Sequence, residues 1–247
     1  MCAMKTAGLA AGTAEIEYPE SDGKPMAETD LHRDEMFDLI AMLQARYADD
    51  RDVYVSGNLF VYYQEGNPRA VVAPDVFVVF GVPKGRRRIY KLWAEGMPPA
   101  VVIEVSSRKT RREDVRTKKA LYAQLGVGEY YLFDPEADYL RPPLQGFRLI
   151  GGAYAPATAD SSGALRSPRL GLDLRLEDGQ LTLYHTATGA RLLRPAEQAA
   201  QAQERAAQAQ ERAASAETRA TSAETRAASA EAEVARLRAE LDEFRGA

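Results

Sequence analysis

The sequence predicts an α/β (α+β) chain with the element order α-β-β-β-α-β, a β-rich extension after it and a long helix at the C-terminus. Three observations carry that prediction. A helix-period apolar pattern precedes the first strand-like run, four strand-like runs follow with a helical segment between the last two, and the composition changes abruptly near Ala196. Of 247 residues, 45% are hydrophobic and 28% charged, which suits one globular domain with an appendage and excludes a fibre or a disordered chain.

Residues 1–16 read as a flexible N-terminus. Leu31, Met36, Phe37, Leu39, Ile40 and Leu43 are spaced for one face of a helix over residues 31–47, with Thr29 or Asp30 as its cap. Strand-like runs then cover residues 53–63, 70–80, 100–106 and 129–133, and Gly66-Asn67-Pro68 turns the first two into a hairpin. A helix over residues 114–125, stopped by Gly126, joins the last two. Between Leu140 and Leu193, Gly146, Gly151, Gly152, Gly171 and Gly179 punctuate short strands of the same domain, which spans residues 17–195.

Pro195 marks the start of a separate element over residues 196–247, rich in Ala, Glu, Arg, Gln and Ser, with no further Gly or Pro before Gly246. Small or apolar residues recur there in alternating steps of four and three, from Ala202 and Ala206 to Val234, Leu237 and Leu241, which keeps one seam facing a partner helix. Alanine favours helix but buries little area, so only the end with Val234, Leu237, Leu241 and Phe244 is adhesive. The segment reads as an oligomerising Ala-rich coiled coil, a dimer foremost. The alternative is a solvated single helix held by Glu/Arg pairs.

The single cysteine, Cys2, excludes an internal disulfide, and His32 and His185 are too distant for a Cys/His zinc framework. No apolar run reaches the ~18–20 residues needed to cross a bilayer and the N-terminus lacks a signal core, so the expectation is a cytoplasmic protein without a membrane partner. A net charge of −4 excludes a uniformly basic coat protein.

Asp75 and Glu104 interrupt otherwise apolar runs, where an ionised carboxylate costs several kcal/mol unless a cation or donor compensates it. One such acid reads as a strand-end cap or the partner of an arginine; two on consecutive strands of one sheet point to a site. At 100° per residue Lys118 falls near the centre of an apolar arc of Val115, Leu121, Tyr122 and Leu125, while Lys119 points aside. Lys118 is then either a snorkelling side chain or the required cation. Asp114, one turn earlier, is a partner for it or an N-cap. Two carboxylates and the Val105 carbonyl make an oxygen donor set for Mg²⁺, with Mn²⁺ as substitute. A lysine beside it can orient or help deprotonate an attacking water, which makes phosphodiester hydrolysis the natural reaction class. Ser106 shares the strand face of Glu104 and either reaches the same site or satisfies a strand-end amide.

The stretches SDGKPMAETDLHRDEM, VYVSGNLFVYY, NPRAVVAPDVFVV, VVIEVSSRKTRREDVRTKKALYAQLGVGEYYLFDP and DYLRPPLQGFRLIGGAY resemble the Uma-type restriction endonucleases of the PD-(D/E)XK nuclease superfamily. The resemblance spans residues 17–195 and implies a restriction-endonuclease-like core with a mixed sheet flanked by helices. It makes Pro74-Asp75 the PD element and Glu104 the acid of the second element. Ser106 stands where E-x-K would place lysine, and the lysine role passes to Lys118, the residue the helical-face argument selects independently.

Between Lys84 and Lys119 twelve Lys or Arg face only Glu95, Glu104, Glu113 and Asp114, so a phosphate-contacting surface within an acidic chain is expected. Lys109, Arg111 and Arg112, which lie between Glu104 and Lys118, are the candidate DNA contacts, whereas Arg86-Arg87-Arg88 reads as a solvated loop. No aromatic stacking platform is evident in the sequence. Glu28 and His32 read as a capping acid and a surface histidine, with an auxiliary role at the metal as the alternative. Asn58 is a strand residue of either face, Asp134-Pro135 a strand-ending turn, and Trp93, Tyr130, Tyr131 and Phe147 core or interface aromatics. The expected activity is that of a Mg²⁺-dependent endonuclease acting on DNA; the rival is a catalytically silent nuclease-like scaffold that assembles or recruits partners through its coiled coil.

Overall fold

The structure, a computed structural model, describes residues 16–21, 23 and 29–246. The predicted roles of Cys2 and Glu28 and the Phe244 side chain lie outside the described residues. Helix α1 (Asp30–Arg46) starts where Thr29 Oγ1 accepts the His32 N–H at 3.2 Å. Its buried face is His32, Glu35, Met36, Leu39, Met42 and Leu43. Leu31 and Phe37, expected inside from their spacing, are 42% and 54% exposed. Two polar side chains take the inward stripe instead, because each has a partner there: His32 faces Asp75 and Glu35 faces Arg194.

Each of the first two strand-like runs breaks in two. Gly57 and Asn58 divide β1 (Val53–Ser56) from β2 (Val61–Tyr62), and Pro74 and Asp75 divide β3 (Val71–Val72) from β4 (Val76–Phe80). Asn58 is therefore not a strand residue; it sits in the break with φ 47 and donates its N–H to the Pro74 carbonyl at 2.8 Å. The hairpin survives both breaks, β1 pairing antiparallel with β4 and β2 with β3. Its outer half leaves the main sheet and pairs with β5 (Tyr90–Lys91), which a single helical turn, α2 (Leu92–Glu95), follows.

Strands β6 (Val101–Val105) and β7 (Glu129–Phe133) are parallel and need a crossover, which is the helical segment between them. That segment is a π-helical turn (Glu113–Lys118) running into α3 (Lys119–Gln124), with Gly126 beyond it at φ 81. The wider turn leaves Val115, counted in the apolar arc at α-helical spacing, 38% exposed. Strands β8 (Leu144–Ile150) and β9 (Ala153–Pro156) complete a mixed sheet of order β1-β4-β6-β7-β8-β9. Strands β10 (Leu165–Ser167), β11 (Leu172–Glu177) and β12 (Gln180–His185) form a separate antiparallel sheet.

Both faces of the main sheet are covered, which is why β4 and β6 read as unbroken apolar runs. Val76, Val78, Ile103 and Val105 pack with α1 and with Leu172, Leu174, Leu181 and Leu183 of the second sheet. Phe77, Val79, Val102, Tyr130 and Leu132 pack with Tyr122 and Val127 of the crossover and with Tyr90. Tyr131 and Phe147 are buried as expected, whereas Trp93 is half-buried against Tyr18, ring centres 5.2 Å apart.

The chain divides into two compact units after Arg194. The second is one helix, α4 (Pro195–Gly246), of 52 residues, in which Val234, Leu237 and Leu241 are about half exposed. No helix among the described residues is long and apolar enough to cross a membrane.

The first unit ends in a buried ion pair. Arg194 donates to Glu35 Oε2 at 3.1 Å, to Asp38 Oδ2 at 2.6 Å and to the Leu181 carbonyl at 3.3 Å. Arg194→Ala leaves Glu35, 2% exposed, without that guanidinium. Urea unfolding of the full chain is expected to show a loss of ~3–5 kcal/mol. A loss under ~1 kcal/mol, the value of a surface pair, would contradict this.

Candidate active site

Strand register brings the two acids together. Val76 lies opposite Ile103, so the next pair outward is Asp75 opposite Glu104. By alternation both belong to the face of Phe77 and Val102, the one covered by the crossover, and Ser106 shares it. Strand β4 begins only at Val76, and the Asp75 side chain before it replaces the missing strand, its Oδ2 accepting the Val105 N–H at 2.8 Å. In an antiparallel pair the N–H and C=O of one residue face the same neighbour, so the Val105 carbonyl is directed to the Asp75 side. The Asp75 N–H donates in turn to Glu104 Oε2 at 3.4 Å.

Gly57 makes this break possible, and sequence reading missed it. A Cβ there would lie 1.9 Å from the Asp75 carbonyl oxygen and 2.6 Å from Ile40 Cδ1. Backbone approach of that kind admits glycine alone.

Glu104 is fully buried; its Oε1 accepts from the Tyr122 hydroxyl at 2.6 Å and its Oε2 from Lys118 Nζ at 2.9 Å. Lys118 Nζ also lies 3.3 Å from Asp114 Oδ1, and Asp114 Oδ2 accepts from Ser106 Oγ at 3.1 Å. Asp114, at 1% exposure, is therefore the inward partner of Lys118 and not an N-cap. Ser106, 2% exposed, holds Asp114. Tyr130 fixes the turn from below, its hydroxyl donating to the Asp114 carbonyl at 2.9 Å. His32 is not a surface residue; it is 3% exposed, with Nε2 3.6 Å from Asp75 Oδ2. The signal for it was present in the sequence, since His32 precedes Met36, Leu39 and Leu43 at helical spacing. For Tyr122, an aromatic in an apolar arc, no sequence signal separates a core ring from a hydroxyl aimed at a carboxylate.

Two carboxylates, Glu104 and Asp114, thus contact one ammonium, and a third, Asp75, adds its charge to the cluster from beside Glu104. Burial pushes the Glu104 carboxyl well above its ordinary range, Lys118 opposing and the Asp75 and Asp114 charges adding to the rise. Asp114 is raised for the same reason, burial outweighing Lys118. Burial also works against an ionised Asp75, but His32, Lys118 and the Val105 N–H outweigh it and hold that carboxyl below its ordinary range. Burial disfavours the Lys118 charge, yet Glu104, Asp75 and Asp114 outweigh it, so Lys118 is held firmly as a cation. Of the four, only Asp75 and Lys118 reach outward, with 15% and 12% of their side chains exposed.

With all three acids ionised the cluster is negative beyond what one lysine balances, and a divalent cation fits that deficit. Among the described residues no three His, Cys, Asp or Glu side chains form a metal cage. A Mg²⁺ site needs only one or two carboxylates, with water and substrate oxygens for the rest, and the hard-oxygen set of Asp75, Glu104 and the Val105 carbonyl meets that requirement.

The basic stretch divides. Arg87 pairs with Glu95 at 2.6 Å and lies over the Tyr54 ring, Arg88 pairs with Glu20, and Lys119 sits 3.4 Å from the Phe147 ring centre. Arg111 and Arg112 instead line a cavity at the start of the crossover; Lys109 is exposed beside them and outside that lining. Asp134 does end its strand in a turn, its carboxylate accepting the N–H groups of Glu136, Tyr139 and Leu140.

The Uma2 family model, described as "Putative restriction endonuclease", matches residues 11–184, and the chain belongs to that family. Among solved structures it is similar to one described as a "putative nuclease belonging to DUF820" from Anabaena variabilis. The two share 14% identity over 60% of this chain and 76% of that one, with a TM-score of 0.45. No curated protein matches the chain.

Two outcomes follow from the geometry. Gly57→Ala forces the β1–β2 break and Asp75 apart and is expected to cost ~1–3 kcal/mol in urea unfolding; an unchanged midpoint would show the approach to be looser. Glu104 holds its proton more tightly folded than unfolded, so its contribution to stability is present at acid pH and lost as pH rises from about 4.5 through the raised value. Melting curves in EDTA should show wild type losing stability between mildly acidic and neutral pH more steeply than Glu104→Gln. Parallel profiles would contradict the assignment.

Proposed function

We propose that this chain is a Mg²⁺-dependent endonuclease that hydrolyses phosphodiester bonds of DNA, with Mn²⁺ as a substitute ion. The observation that carries the reading is the buried cluster in which Lys118 contacts Glu104 and Asp114 while Asp75 adjoins Glu104, where β4 begins and β6 ends. Asp75, Glu104 and the Val105 carbonyl would hold the ion, which when bound supplies a Lewis acid for the scissile phosphate and lowers the pKa of a coordinated water.

The side chains do the rest. Lys118 is fixed by Glu104 and Asp114 and stays protonated, so it donates hydrogen bonds and is not the base that takes a proton from water. Its ammonium orients the attacking water and offsets charge that develops on the phosphate oxygens. Tyr122 and Ser106 hold the two carboxylates that hold Lys118. Purified protein with plasmid and Mg²⁺ is expected to nick or cleave it, with Asp75→Ala, Glu104→Ala and Lys118→Ala at least ~100-fold slower. Equal rates in wild type and all three variants would remove the assignment and leave the scaffold reading.

The exposed Val234, Leu237 and Leu241 on the four-three seam of α4 support self-association through this helix, as a dimer that would offer two sites to the two strands of a duplex. Sedimentation of the full chain should give a dimer that Leu237→Glu with Leu241→Glu dissociates. A wild type that sediments as a monomer would overturn this.

A further inference from the structure

Beyond the metal cluster, the start of the crossover carries a second feature. Arg111, Arg112, Val115, Arg116, Tyr139 and Leu140 line a cavity of about 380 Å³, within the range of small-ligand pockets. We propose that this cavity is a subsite for one unpaired nucleotide of the nucleic-acid substrate, its base stacked on Tyr139 and its phosphate held by Arg112 and Arg116. The inference rests on the nuclease reading and deepens it.

Four observations support the site. The arginines are available: among the described residues none of the three forms an ion pair, whereas Arg87 and Arg88 of the same basic stretch already do. The platform is fixed, because the buried Asp134 carboxylate accepts the N–H groups of Tyr139 at 2.6 Å and Leu140 at 2.8 Å, and Leu140 is anchored in the core. Arg111 lies over the Tyr139 ring, its guanidinium carbon 5.9 Å from the centroid, an arrangement that extends an aromatic surface with a planar cation. The exposed Val115 supplies an apolar patch beside the ring, and its outward position follows from the π turn.

Acids flank the platform on its own loop: Glu136 and Asp138 act on the Tyr139 hydroxyl and raise it above its ordinary range, with Arg108 opposing them. Because Asp114 and Lys118 belong to the same turn as Arg112 and Arg116, a nucleotide seated here neighbours the cluster. A base inside a duplex cannot offer its face to a side chain, so an unpaired nucleotide is the ligand the geometry selects.

The probe is fluorescein-labelled single-stranded oligothymidylate, titrated by anisotropy into the full chain in EDTA so that no cleavage intervenes. Tyr139→Ala should weaken binding roughly tenfold or more with an unchanged salt slope, while Tyr139→Trp restores it. Arg112→Ala and Arg116→Ala should each reduce the slope of log K against log salt by about 0.7. An oligonucleotide of abasic sites should bind wild type and Tyr139→Ala alike. If wild type binds but Tyr139→Ala binds equally well, the subsite is overturned and the nuclease reading stands. If wild type does not bind, the subsite is overturned as well, and the nuclease reading is decided by the plasmid assay with Mg²⁺. Circular dichroism of each variant guards against misfolding, and Tyr139→Trp keeps the test decisive should the alanine variant unfold.

Discussion

The structure depends on one buried contact, that of the Lys118 ammonium with Glu104 and Asp114. Taking ions of this size out of water costs several kcal/mol each, and fully burying a large apolar side chain returns only about 1.5–3 kcal/mol. An arrangement with three carboxylates to one lysine is therefore a liability to the fold. It persists because apolar packing on both faces of the sheet over-determines it and because each acid has a donor: Tyr122 for Glu104, Ser106 for Asp114 and the Val105 N–H for Asp75. A chain selected for stability alone would place apolar side chains at these positions.

The same constraint explains the local irregularities. Strand β4 begins only at Val76, so that Asp75 caps β6 instead of continuing the ladder. Gly57 clears the space for that break, and the crossover opens with a π turn in which both Asp114 and Lys118 face inward. Such a turn leaves one residue out of the α-helical pattern, and Val115 is where this appears. The irregular backbone thus clusters around the polar cluster, where it positions side chains at the cost of regular hydrogen bonding.

Much of this was legible in the sequence, for identifiable reasons. An acid in an otherwise apolar run violates the pattern of its strand, so Asp75 and Glu104 stand out, and the run limits of β7 and the stop at Gly126 follow from composition alone. Lys118 was selected by α-helical geometry although its turn is a π turn, because of the arc residues used Leu121 and Tyr122 lie on the regular helix after it and Leu125 is that helix's C-cap. Residues whose role depends on a distant partner were not legible. His32 lies on the apolar spacing of its helix, but nothing local names Asp75 as its partner, and Glu35 resembles a surface position until Arg194 is placed beside it. Tyr122 resembles a core ring, and Tyr139 is separated from Arg111 by the whole of β7. Strand breaks at Gly57-Asn58 and Pro74-Asp75 were hidden by apolar residues on either side of each.

The central claim is that the side chains of Asp75 and Glu104, with the Val105 carbonyl, form the seat of a divalent cation. Anomalous diffraction from crystals soaked in Mn²⁺ tests it most directly. The account predicts a peak within ordinary oxygen-ligand distance, about 2.0–2.6 Å, of both carboxylates, and its disappearance in crystals of Asp75→Asn. Peaks confined to other acidic surfaces, or a cluster that keeps Lys118 on Glu104 and takes up no ion at saturating Mn²⁺, would contradict it.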